Sequence, residues 1–128
     1  MKKTKRFSKT WKKSKSPRKQ HKYRYNAPLH IRNDFVSVTL SKELKKKYSK
    51  RNCSAKKGDS IKVLRGSFKG KTGKINKIDL KRSKIYIDGI ELSKKDGTKA
   101  FPPLEPSNLM LTELNLNDKK RAKLLERK

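Results

Sequence analysis

Apolar and charged residues alternate over short runs in the second half of the chain. This period-2 pattern predicts strands at roughly 60–65, 72–80, 84–88, 90–94, 98–101 and 108–114. In the first of these, Ile61 and Val63 point to one side and Lys62 to the other, so one face is buried while the other offers an ammonium group. Ile61, Val63, Ile75, Ile78, Leu80, Ile85, Ile87, Ile90, Leu92, Leu109 and Leu111 are the expected core. A glycine-rich loop, Lys81-Arg82-Ser83, a Lys95-Asp96-Gly97 turn and Pro102, Pro103 and Pro106 separate the strands. Short strands punctuated in this way predict a mainly β chain, with a small, twisted antiparallel barrel over residues 58–114.

The first half reads differently. Ser16 followed by Pro17 is a helix start with proline at the first helical position, and it predicts a helix over 17–25. Asn26-Ala27-Pro28 opens another short turn or helix to Asn33, anchored by Leu29 and Ile31. Ser41 caps a third helix over 42–48, where Leu44 and Tyr48 share a face and Glu43 stands four residues before Lys47. Residues 16–57 therefore read as a basic helical arm. Residues 1–15 hold only Phe7 and Trp11 as large apolar groups, too few to offset their ordering entropy, and are expected to be disordered until bound. At the other end, Asn117-Asp118 caps a helix or tail over 115–128, with Lys119, Lys120, Arg121 and Lys123 exposed and Ala122 and Leu125 forming a narrow apolar stripe.

Composition narrows the partners. Only 30% of 128 residues are hydrophobic, so the core is small, and 39 Lys and Arg against 11 Asp and Glu give a net charge of +28. Such self-repulsion calls for a polyanion, and nucleic acid is the expected one. No apolar run approaches the ~18 residues of a membrane-spanning helix, and no membrane partner is expected. Residues 1–25 carry 12 cations and no acid, but no apolar targeting core follows, which suggests a cytosolic chain. Cys53 is the single cysteine and lies far from His21 and His30, so neither an internal disulfide nor a zinc site is expected, and Cys53 reads as a small packed hydrophobe. The acids are scattered, with Asp59, Asp79 and Asp88 read as turn and strand-end residues. No catalytic residue, cofactor, metal or small-molecule substrate is assigned.

Charge is uneven along the chain: residues 1–57 hold 21 Lys and Arg against 2 acids, and residues 58–128 hold 18 against 9. The densest local chemistry is GDSIKVLRGSFKGKTGKI, residues 58–75. Gly66, Gly70 and Gly73 are expected to adopt positive φ and leave backbone N–H groups uncovered, while Arg65, Lys69, Lys71 and Lys74 supply phosphate donors. In the arm, Arg18, Lys19, His21, Lys22, Tyr23, Arg24, Arg32 and Lys42 interleave cations with rings that stack on bases, and Phe7 and Trp11 add two more rings. The pair Lys81-Arg82 completes the expected RNA-binding set.

The stretch Ile61, Val63, Gly66, Gly70-Lys71, Gly73-Lys74, Ile75 resembles the KOW motif of a universal large-subunit ribosomal protein family. The flanks YNAPLHIRNDF (25–35), LSKELKKKYSKRN (40–52) and DGTKAFPPLEPSNLMLTELNL (96–116) resemble that family in its archaeal and eukaryotic form. The resemblance implies an SH3-like KOW barrel and a structural, non-enzymatic constituent of the large ribosomal subunit. It also implies binding to the 5′ region of large-subunit rRNA, a role early in assembly, and a cytoplasmic ribosomal location near the polypeptide exit. Its implied partners are rRNA and neighbouring ribosomal proteins, and the chain is expected to be a monomer within the ribosome. KOW barrels also occur in transcription-elongation factors that contact polymerase or nascent RNA, but the 57 residues before Gly58 read as lysine-rich arms and not as the α/β domain of those factors. A nonspecific basic protein that binds duplex DNA is the other alternative.

Overall fold

The computed structural model describes residues 7, 8 and 10–127; the disorder expected of residues 1–6 and 9 lies outside them. Four helices, α1 (Pro17–Asn26), α2 (Leu29–Phe35), α3 (Lys42–Tyr48) and α4 (Lys119–Glu126), surround eight strands. These are β1 (Ser37–Leu40), β2 (Asn52–Ser54), β3 (Ser60–Val63), β4 (Thr72–Asp79), β5 (Lys84–Ile87), β6 (Leu92–Ser93), β7 (Lys99–Ala100) and β8 (Leu109–Glu113). Six of them form one sheet in the order β2-β1-β8-β3-β4-β5, and β6 and β7 form a separate ribbon.

The alternating pattern fixes which side of the sheet is buried. Ile61 pairs with Leu111 and Val63 with Leu109 across β3 and β8, and all four are buried. Ile75 on β4 faces Ile87 on β5, and these join the same core, where each fully buried aliphatic side chain contributes about 1.5–3 kcal/mol. The main chain of Leu104 exchanges two 2.9 Å hydrogen bonds with Ile85, tying the segment after β7 back onto β5. The curled sheet is the expected small, barrel-like β fold, with antiparallel pairing throughout β3, β4, β5 and β8.

Two strands come from the stretch read as a helical arm. Val36, Val38 and Leu40 are buried while Ser37 and Thr39 between them are partly exposed, and β1 runs parallel to β8, with Leu40 opposite Leu111. The sheet is therefore mixed. Of the expected core, Ile78 and Leu80 are partly buried, while Leu92 is half exposed because the β6–β7 ribbon stands off the main sheet. Leu29 does not anchor α2: it opens the helix and is 63% exposed, while Ala27 just before it is buried.

Ser16 stands at the start of α1 before Pro17 but its side chain makes no capping bond, whereas α3 and α4 start at side-chain caps. Ser41 Oγ accepts the Leu44 N–H and starts α3, and the Asp118 side chain accepts the Lys120 N–H and starts α4. On α4 the inward face is Arg121 and Leu125, four residues apart, so the expected exposure of Arg121 is overturned. The cause is Asp59, a strand-end residue at the head of β3 as expected, but fully buried. Its carboxylate receives the Arg121 guanidinium in two 2.6 Å bonds and accepts the Lys56 and Asn115 N–H groups at 2.9 and 2.8 Å. Burial works against the Arg121 charge, but hydrogen bonds and charge from Asp59 outweigh it and hold the guanidinium protonated above its ordinary range.

Candidate nucleic-acid interface

Strand β4 separates two basic regions. At about 3.3 Å per residue, its ends lie roughly 23 Å apart, with the glycine loop before Thr72 and the β4–β5 turn after Asp79. Arg65, Lys69 and Lys71 project from the first region and are exposed, and Lys74 stands on the outer face of β4 opposite Ser60.

The glycine loop differs from the expected phosphate cradle. Gly66 and Gly70 adopt positive φ, 92° and 87°, but the Gly70 N–H donates to Val63 O at 2.8 Å, and the Lys69 and Lys71 N–H groups donate to Gly66 O and Phe68 O. The loop spends these donors on its own turn and presents side-chain cations instead. Gly73 has no positive φ; it is needed because a Cβ there would stand 2.3 Å from Asp88 O and 2.7 Å from Ile87 Cγ2. Phe68 packs against the core, and the Lys71 ammonium sits 5.3 Å from its ring centre, so the loop is braced from beneath.

At the opposite end of β4 the arm meets the barrel. Asp79 Oδ1 accepts the Arg82 N–H at 3.1 Å, and Ser83 takes a φ of 53°, which together shape the turn carrying Lys81 and Arg82. The Arg32 guanidinium donates to Ala27 O at 2.9 Å, to Lys81 O at 2.6 Å and to Tyr25 O. Arg32 is thus a brace that ties the α1–α2 junction to the β4–β5 turn, with its charge retained beneath them. Between them lies a cleft of about 580 Å³ lined by His21, Arg24 and Phe35 on the arm side and by Lys81 and Arg82 on the barrel side. Four cations separated by about 50 residues of sequence converge here. Glu105 stands at the rim, paired with Lys84.

The remaining arm residues occupy the adjoining stripe of α1. Trp11 stacks on Tyr23 at 4.1 Å between ring centres, Phe7 meets the same ring at 4.8 Å, and Phe35 lies 6.1 Å away. Lys19 and Lys22 flank a hollow of about 260 Å³ beside Phe7 and Trp11. Trp11 and Tyr23 thus already use one ring face on each other. Arg18 is exposed on α1, and Lys42, also exposed, opens α3. Among the described residues no group of His, Cys, Asp and Glu side chains is placed to hold a metal ion, and no helix is long and apolar enough to cross a membrane.

The sequence pattern of the family of eukaryotic ribosomal proteins L26 and their archaeal counterparts matches residues 14–128, which include the arm, the cleft and the glycine loop. The chain belongs to this ribosomal family. A relative described as "Large ribosomal subunit protein uL24" from Methanosphaera stadtmanae is 46% identical over 115 residues, covering 90% of this chain and 98% of the relative. Its counterpart of the same description from Methanocella arvoryzae is 47% identical over 115 residues, covering 90% and 93%. The family is structural and not enzymatic. Of the expected site residues only Phe7 and Trp11 fall outside the matched stretch, so the convergence of Arg24 and Arg32 with Lys81 and Arg82 lies wholly within the part shared with the family.

Proposed function

We propose that the chain holds the 5′ region of large-subunit rRNA early in subunit assembly and sits near the polypeptide exit. As a member of its family it is a structural protein of the large ribosomal subunit in the cytoplasm. Its partners are rRNA and neighbouring ribosomal proteins, and it acts as a single copy. The observation that carries the RNA-binding part is the convergence of Arg24, Arg32, Lys81 and Arg82 on one cleft, at the far end of β4 from Arg65, Lys69 and Lys71. With a net charge of +28, two such faces neutralise phosphates on separate RNA segments and let them approach. Phosphate contacts carry no sequence information, so selectivity falls to the folded shape of the RNA. An elongation-factor module is not favoured, because the family match includes the arm as well as the barrel.

The test is gradient fractionation of cell lysate with detection of this chain, repeated after a high-salt wash. Stoichiometric co-migration with large subunits through the wash is the expected result. Migration with polymerase or DNA, or loss from subunits at moderate salt, overturns the reading.

A further inference from the structure

We infer that the cleft between α1 and the β4–β5 turn takes the base and phosphate of a single unpaired nucleotide. This rests on the rRNA-binding reading above and adds what kind of RNA element enters this site. The cleft is concave, and its volume of about 580 Å³ falls in the ~300–1,000 Å³ range of sites that enclose one small ligand. The backbone of a paired helix would lie across its mouth and leave it unfilled.

The lining alternates the two chemistries a nucleotide presents. Phe35 and His21 contribute rings and Arg24 a guanidinium to the lining, groups of the kind that stack on a splayed base. Lys81 and Arg82 stand on the opposite wall, and among the described residues neither they nor Arg24 make an ion pair. The rim carboxylate of Glu105 is answered by Lys84, so the cleft keeps its positive field. The walls are also held at a set spacing, because Arg32 bonds the carbonyls of Ala27 on one side and Lys81 on the other. An acidic peptide would answer the cations but leave the ring surfaces without a partner.

The experiment uses large subunits assembled with the full chain bearing Ser107→p-benzoylphenylalanine at the exposed rim of the cleft. Irradiation followed by reverse transcription maps the crosslink. The expected result is one dominant crosslink to a nucleotide that base-specific reagents modify in protein-free rRNA and no longer modify in the subunit. Adding Arg24→Ala and Arg82→Ala should reduce that crosslink, normalised to the amount of chain present in the subunits, about ten-fold or more through loss of two charge-assisted contacts. Crosslinks spread along a paired helix, or to a polypeptide, overturn the inference and leave the ribosomal reading standing. Absence of the chain from large subunits overturns the ribosomal reading itself.

Discussion

Arg121 and Asp59, 62 residues apart, form a buried two-pronged ion pair that fastens the C-terminal helix to the head of β3. The same guanidinium reaches Asn115 O at 2.8 Å and Ser54 O at 3.1 Å, so one side chain joins α4, β2 and the segment before α4. Among the described residues no buried side-chain polar atom is left without a partner, which is the condition under which a buried pair is tolerated.

Removing one partner leaves the other charged and buried. Asp59→Ala should therefore lower stability by about 3–5 kcal/mol, and Asp59→Leu with Arg121→Met should recover much of that loss. Urea unfolding of the full chain checks both. A double variant no more stable than Asp59→Ala would contradict the account.

A second tie to α4 is exposed and responds to acid. The Asp118 carboxyl is held below its ordinary value of 3.8, first by the hydrogen bond from Lys56 and then by the Lys120 N–H of its own cap. A depressed acid stabilises the fold only while ionised. Its contribution is complete above pH 3.8 and is lost as pH falls through the lower folded-state value. The Lys120 amide resonance should stay constant from neutral pH down to that region and move only below it.

Glycines that look alike in sequence should differ on substitution. Gly73→Ala forces a Cβ against the Asp88 carbonyl, and separating β4 from β5 should cost about 1–3 kcal/mol or more. Gly70→Ala meets nothing within 4 Å and carries only the strain of positive φ, roughly 1–2 kcal/mol. Thermal unfolding of the two variants should rank Gly73→Ala as the less stable.

Phosphate binding sets the salt response. With ~8 contacts, affinity for an rRNA fragment should fall by roughly 10³–10⁵ between ~50 and ~200 mM salt. Lys71→Glu with Lys74→Glu should weaken binding and flatten that dependence without unfolding the barrel. Unchanged affinity would remove the glycine-loop face from the interface.

Local patterns made much of this molecule legible. Ser41 and the residues after it specify α3, and alternation specifies β3, β5 and β8 because each has one buried face, whereas in β4 a bulge between Ile75 and Lys77 breaks it. What stayed hidden depends on distant partners. Val36, Val38 and Leu40 alternate cleanly, but they sit between two helices, and their parallel partner β8 is about 70 residues away. Arg121 shares a face with Leu125, which was a signal for burial, but only the Asp59 carboxylate makes that burial tolerable. The site residues were legible as cations and rings. Their division between two ends of β4, and the use of Arg32 as a brace, follow from the turn at residues 80–83 and from no local pattern.

Both ends of β4 are expected to abut rRNA. Hydroxyl radicals generated from tethers at Ser67→Cys and, separately, Ser107→Cys, in large subunits containing a Cys53→Ser chain, test it directly. The account predicts rRNA cleavage from each position, in different segments of the RNA. Subunits that contain the chain but show no rRNA cleavage from one or both of the tethers would contradict it.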